Sequence, residues 1–80
     1  WYALRSTTRT TPESRRIGGQ LRAAREASGM TQIELAEVLG LPTDEIARYE
    51  RGYPAMRLDR LARMATVLGL PASYLTGAML

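Results

Sequence analysis

Thr43, Asp44, Ala47 and Arg48 are spaced to share one outward helical face, and Gln32 stands at the first position of the preceding helix. The chemistry open to these side chains is recognition, not bond making. The Arg48 guanidinium can fork onto O6 and N7 of a guanine, a contact worth about 1 to 3 kcal/mol of discrimination, and Asp44 can accept from a cytosine N4 amine. The same two residues, one turn apart, can instead pair with each other on a solvated face for roughly a few tenths of a kcal/mol. Gln32 lies where a helix start offers N–H groups to an anion, or else is a solvated first-turn residue. Asp44 and Glu45 suit the positive end of their helix, yet repel phosphates. With no Cys and no His, the chain has no disulfide, thiolate or imidazole, which excludes zinc fingers and most nucleophilic catalysis. No metal-ligand set, phosphate-cradling glycine loop or nucleophile–base pair is written in it, so no cofactor and no metal is expected, and an enzyme is the weakest reading.

Short helices must position these side chains. Thr31 and Glu34, three apart, make a capping box that starts a helix at Gln32. Leu35, Ala36 and Leu39 form its buried stripe, and Gly40 comes where the stripe stops. After a tight turn, Ile46 and Tyr49 supply the buried spacing of a second helix ending at Gly52, a pairing whose shape suits the DNA major groove. Upstream, Thr11, Pro12 and Glu13 read as N-cap, first-turn proline and acid on the helix dipole. Ile17, Leu21 and Ala24 form that helix's inner stripe and Gly29 its stop. Gly18 and Gly19 inside it each cost about 1 kcal/mol against Ala and mark close packing. A fourth helix is expected from Leu58, Leu61, Ala62, Ala65 and Leu68, with Gly69 as its end, and a short fifth from Pro71 through Leu75, stopped at Gly77. Nothing reads as a strand.

Arg25, Gly29, Thr31-Gln32, Leu35-Ala36, Leu39-Gly40, Ile46, Glu50-Arg51-Gly52, Leu61, Ala65, Leu68-Gly69 and Tyr74-Leu75 stand in one order and spacing over some sixty residues. Between Ile17 and Gly77 the chain thereby resembles the lambda-repressor-like (Cro-type, XRE family) helix-turn-helix DNA-binding domains. The resemblance implies an all-α, compact five-helix domain with a central helix-turn-helix. It implies sequence-specific binding of double-stranded DNA as a transcriptional regulator, a repressor, with the third helix in the major groove of a palindromic site and the protein a homodimer. Carried over residue by residue, Thr43, Asp44, Ala47 and Arg48 face bases, Gln32, Arg51, Tyr53 and Arg57 face phosphates, and Arg25 pairs with Glu50 across the first and third helices.

Two departures from the family stand out. Pro replaces the usual capping Ser or Thr in both Gly40-Leu41-Pro42 and Gly69-Leu70-Pro71, so Thr43 is expected to take over as N-cap, which would occupy its hydroxyl. Pro54 comes earlier than the family's proline position, here Met56, so the loop of Arg51, Tyr53 and Arg57 approaches phosphates differently.

Eighty residues make one small domain, at a size where a single core supplies about 3 to 5 kcal/mol of net stability. The expected division is a flexible Arg-containing arm over residues 1–10, the helical domain over 11–77 and a tail over 78–80. Ala78, Met79 and Leu80 suit a dimer contact or a lead into a further domain or protein partner beyond Leu80. The chain opens on Trp1, as a fragment of a longer protein would. The net charge of +3 sits in residues 1–16, where four Arg face Glu13 alone; the rest holds seven Arg against seven carboxylates. The arm either lies along a duplex or enters its minor groove, or is a solvated tail. All-Arg usage reads as genome composition as readily as selection for nucleic acid. No apolar run approaches the roughly 18 residues of a membrane span and no signal-peptide pattern is present, so a cytoplasmic protein without membrane contact is expected, and the family resemblance implies a bacterial, nucleoid-associated one. The competing class is a protein-interaction module of the same fold, an antitoxin or coactivator-like adaptor, favoured by the near-neutral domain charge and the acids on the outward face.

Overall fold

The computed structural model describes residues 10–53 and 56–76. Five helices follow one another: α1 Pro12–Ala27, α2 Gln32–Leu39, α3 Thr43–Glu50, α4 Leu58–Val67 and α5 Ser73–Thr76. No strand occurs among the described residues.

The helix boundaries follow from local hydrogen bonds. At α1, the Thr11 hydroxyl accepts from Ser14 N–H at 3.0 Å and the Ser14 hydroxyl accepts from Thr11 N–H at 2.9 Å, with Pro12 on the first turn. The box there is closed by Ser14, a residue the sequence reading passed over. At α2 the reciprocal pair is Thr31 and Glu34, at 3.1 and 2.8 Å. Gly40 ends α2 in the left-handed region, φ +70°, and Leu41 N–H then reaches Ala36 O at 3.0 Å. A β-carbon would be strained in that conformation, so glycine is what permits so short a turn.

Ile17 and Leu21 of α1, Leu35, Ala36 and Leu39 of α2, Ile46 and Tyr49 of α3, Leu61, Met64 and Ala65 of α4 and Leu75 of α5 meet in one core. The inner face of α4 differs from expectation. Leu58 is 44% exposed, whereas Met64 is completely buried. A helix face is set by which neighbours it meets, and Met64, whose unbranched thioether adapts to the packing around it, enters the core although it stood outside the expected stripe. Met56, just before α4, also joins the core. The fifth helix begins at Ser73, not Pro71; Tyr74 N–H bonds to Pro71 O at 2.9 Å, so the proline carbonyl opens the turn that precedes the helix. Gly77, its expected stop, lies outside the described residues.

Of the two glycines inside α1, only Gly18 marks close packing. A β-carbon there would stand 2.4 Å from Tyr49 O and 2.7 Å from Glu50 O, so the backbone of α1 runs directly against the end of α3. At Gly19 a β-carbon would meet nothing within 4 Å.

Candidate nucleic-acid interface

Ile46, fully buried, and Tyr49, 4% exposed, root α3 in the core and turn its other face outward. The Tyr49 hydroxyl accepts from Arg57 N–H at 3.0 Å, which ties the segment after α3 back onto the helix. On the outward face Asp44 and Arg48 are exposed and Thr43 and Ala47 half-buried, so the structure brings the four expected base-facing residues onto one surface. Thr43 is not the N-cap. Pro42 takes that position with extended backbone and no side-chain cap, and Thr43 is the first helical residue. Proline's fixed φ already suits the residue before a helix, so α3 starts without a hydroxyl acceptor, and the Thr43 side chain is not committed to a cap.

The carboxylates of α3 part company. Asp44 Oδ2 accepts from Arg48 Nη2 at 3.1 Å, the intrahelical pair, on an exposed face. Glu45 instead makes an ion pair with Arg60 on α4. Its charge is thus drawn toward the scaffold and partly offset. The sequence reading missed Arg60: Glu45 and Arg60 are fifteen residues apart in different helices, and no local spacing signals the pair.

Behind α3 lies a buried ionic cluster. Arg25 Nε donates to Glu50 Oε2 at 2.6 Å and Nη2 to Oε1 at 3.0 Å, while Nη1 donates to Met30 O at 2.8 Å. The two side chains are 10% and 4% exposed. Such a two-pronged guanidinium–carboxylate contact has both strength and directional specificity. Hydrogen bonding to Glu50 raises the Arg25 pKa above the ordinary arginine value, outweighing burial, so the charge persists at any physiological pH. Gln32, half-buried, adds a third bond to the same carboxylate: its Nε2 donates to Glu50 Oε1 at 3.0 Å. A solvated Gln32 is therefore not what the structure shows.

The other expected phosphate-facing residues lie after α3. Arg51 is exposed, with its guanidinium carbon 5.5 Å from the Tyr53 ring centroid, a cation–π arrangement that stiffens both side chains. Arg57 is held by two hydrogen bonds of 3.1 Å to Asp59 Oδ1 and Oδ2. Those bonds lower the Asp59 pKa below the usual aspartate value. Pro54 lies outside the described residues, as do residues 1–9 of the Arg-containing arm and Ala78, Met79 and Leu80. A further scaffold contact went unforeseen: Arg63 Nη2 donates to Leu39 O at 3.3 Å, satisfying a carbonyl at the end of α2. Among the described residues no three His, Cys, Asp or Glu side chains converge as a metal-binding group would, and no helix is long and apolar enough to cross a membrane.

Comparison with known proteins agrees with this geometry. A family model described as "Helix-turn-helix" matches residues 21–75. An uncharacterized HTH-type transcriptional regulator of Sinorhizobium medicae (strain WSM419) is 33% identical over 58 residues, covering 72% of this chain and 42% of that protein. The HTH-type transcriptional regulator ImmR of Bacillus subtilis (strain 168) is 33% identical over 61 residues, 76% of this chain and 48% of that protein. A solved structure of Fe(II)-HppE with the alternative substrate (S)-1-HPP superposes with a TM-score of 0.72 at 31% identity, covering 84% of this chain and 34% of that one. The chain thus spans less than half the length of each of these proteins. Its helices, turn glycines and matched residues make it a member of the XRE, or lambda-repressor-like, helix-turn-helix family.

Proposed function

We propose that this domain binds double-stranded DNA sequence-specifically, as the DNA-reading part of a bacterial cytoplasmic transcriptional regulator. In this reading α3 enters the major groove with Thr43, Asp44, Ala47 and Arg48 toward base edges, while Gln32, Arg51, Tyr53 and Arg57 face phosphates. Two copies bind a palindromic site, and occupancy represses transcription. The observation that carries the reading is the outward face of α3, rooted by Ile46 and Tyr49 and clamped by the buried Arg25–Glu50 pair. A short helix reads bases only if its frame is rigid, and this one is held at both ends. The regulator relatives support the same conclusion. What the iron protein does with its substrate belongs to that protein, of which this chain matches only 34%.

The Asp44–Arg48 pair does not stand in the way of base reading. Exposed pairs of this kind contribute about 0 to 1 kcal/mol, so a guanine outcompetes Asp44 for the guanidinium at little cost. Arg48→Ala should leave the melting curve within about 0.5 kcal/mol of the parent and flatten sequence preference at one or two positions of each half-site. Selection of bound duplexes from a random pool reads this directly. Equal loss on every sequence would assign Arg48 to a phosphate instead.

One observation favours a second reading, a protein-interaction module of the same fold. The described residues hold nine Arg against eight carboxylates, and several of those Arg already have acidic partners. Titration with random duplex at two salt concentrations separates the two. About four neutralised phosphates would weaken binding about a hundredfold between about 50 and about 200 mM salt, whereas a protein-binding module shows no such slope.

A further inference from the structure

Glu50 accepts three hydrogen bonds from side chains: two from Arg25 and one from Gln32. The first partner makes the cluster part of the scaffold. The second lies at the opposite edge, on the first turn of α2, at the surface where that helix begins. We infer that Glu50 is a positioning residue for nucleic-acid binding, which aims the Gln32 side-chain amide at a backbone phosphate; this rests on the DNA-binding reading above.

A carboxylate can only accept, so the Gln32 atom facing it must be Nε2 and the flip of the amide is settled. Glu50 itself cannot rotate, because Arg25 holds both its oxygens from behind. One hydrogen bond to an anchored partner places the tip of the amide and restricts its rotation, and the second N–H of the same nitrogen diverges from the first and so points away from Glu50. The capping box consumes the N–H groups of Thr31 and Glu34, and the first intrahelical bond is made by Leu35 N–H to Thr31 O at 3.0 Å. The N–H groups of Gln32 and Ile33 lie ahead of that bond, so the side-chain donor joins a start of helix already suited to an anion. A long glutamine side chain normally loses rotamer freedom when it grips a phosphate; here the bond to Glu50 removes part of that freedom beforehand. Glu50 therefore has two separable roles, a lock through Arg25 and an aim through Gln32.

The test is a double-mutant cycle with Gln32→Ala, Glu50→Gln and the pair, titrated with random-sequence duplex at several salt concentrations and at a temperature where circular dichroism shows every variant folded. Each single substitution should weaken binding about tenfold and reduce the salt slope by about one contact, and the double variant should lose no more than the larger single. Additive losses, or parental binding by Glu50→Gln, would overturn the positioning role and leave the DNA-binding reading standing. Absence of duplex binding by the parent chain, at any salt, would overturn both. If Glu50→Gln does not fold, the side-chain amide of Gln32 in nitrogen-15 spectra of the parent decides the matter. Two well-separated proton shifts, one of which moves on adding duplex, are expected, whereas random-coil shifts indifferent to duplex contradict the inference.

Discussion

Glu50→Ala is expected to lower the melting temperature by about 15 to 30 °C. The substitution leaves the Arg25 guanidinium buried with only Met30 O as a partner, and breaking a buried pair from one side costs about 3 to 5 kcal/mol. For a domain this small, about 1 kcal/mol corresponds to about 4 to 8 °C, and the whole net stability is itself about 3 to 5 kcal/mol. The variant should therefore be largely unfolded near physiological temperature, losing DNA binding through the fold. Thermal melts by circular dichroism give the answer, and a curve coincident with the parent's would refute the assigned role. The Arg22–Glu26 pair is the internal control. It lies one turn apart on α1 with both side chains more than half exposed, so Glu26→Ala should shift the melt hardly at all.

The second large effect is at Gly18. Ala there would place a methyl 2.4 Å from Tyr49 O, against backbone that has no rotamer with which to yield. Either α1 retreats from α3, which also pulls Arg25 from Glu50, or the end of α3 deforms. Overpacking of this kind costs about 1 to 3 kcal/mol or more, against the roughly 1 kcal/mol that Ala gains over Gly in a helix. Gly18→Ala should thus melt about 5 to 15 °C below the parent. Gly19→Ala, one residue on, meets nothing within 4 Å and should melt a few degrees higher, by roughly 0.5 to 1 kcal/mol. Parallel melts of the two variants test the packing argument, and stabilisation by both would contradict it.

The neighbouring glycines show how far a sequence can be read. Both carry the same helix penalty and both were expected to mark close packing, but the direction each faces depends on where α3 crosses α1. A 100° step along the helix is enough to turn one toward a backbone and the other toward solvent. The same limit applies to Leu58 and Met64. Leu58 continues a regular apolar spacing, so it reads as core, yet it is the first residue of α4 and stands 44% exposed. The acids at the start of α3 are a third case: periodicity places Asp44 and Glu45 side by side, and only the position of Arg60 on α4 separates their roles.

By itself the sequence determined that there would be five short helices, where most of them begin and end, and which residues of α3 face outward. These depend on contacts between residues one to four apart: the Thr31–Glu34 box, the glycine after Leu39 and the spacing of Ile46 and Tyr49. Such contacts form or fail with little reference to the rest of the chain. The family resemblance added the Arg25–Glu50 partnership. Tertiary structure alone decided that Glu50 also holds Gln32, that Glu45 turns to Arg60 and that Arg63 closes the end of α2. All three join residues at least fifteen positions apart. Partner choice at that range depends on how helices cross and on which side-chain tips then come within about 3 Å of each other, and neither quantity is carried by local spacing.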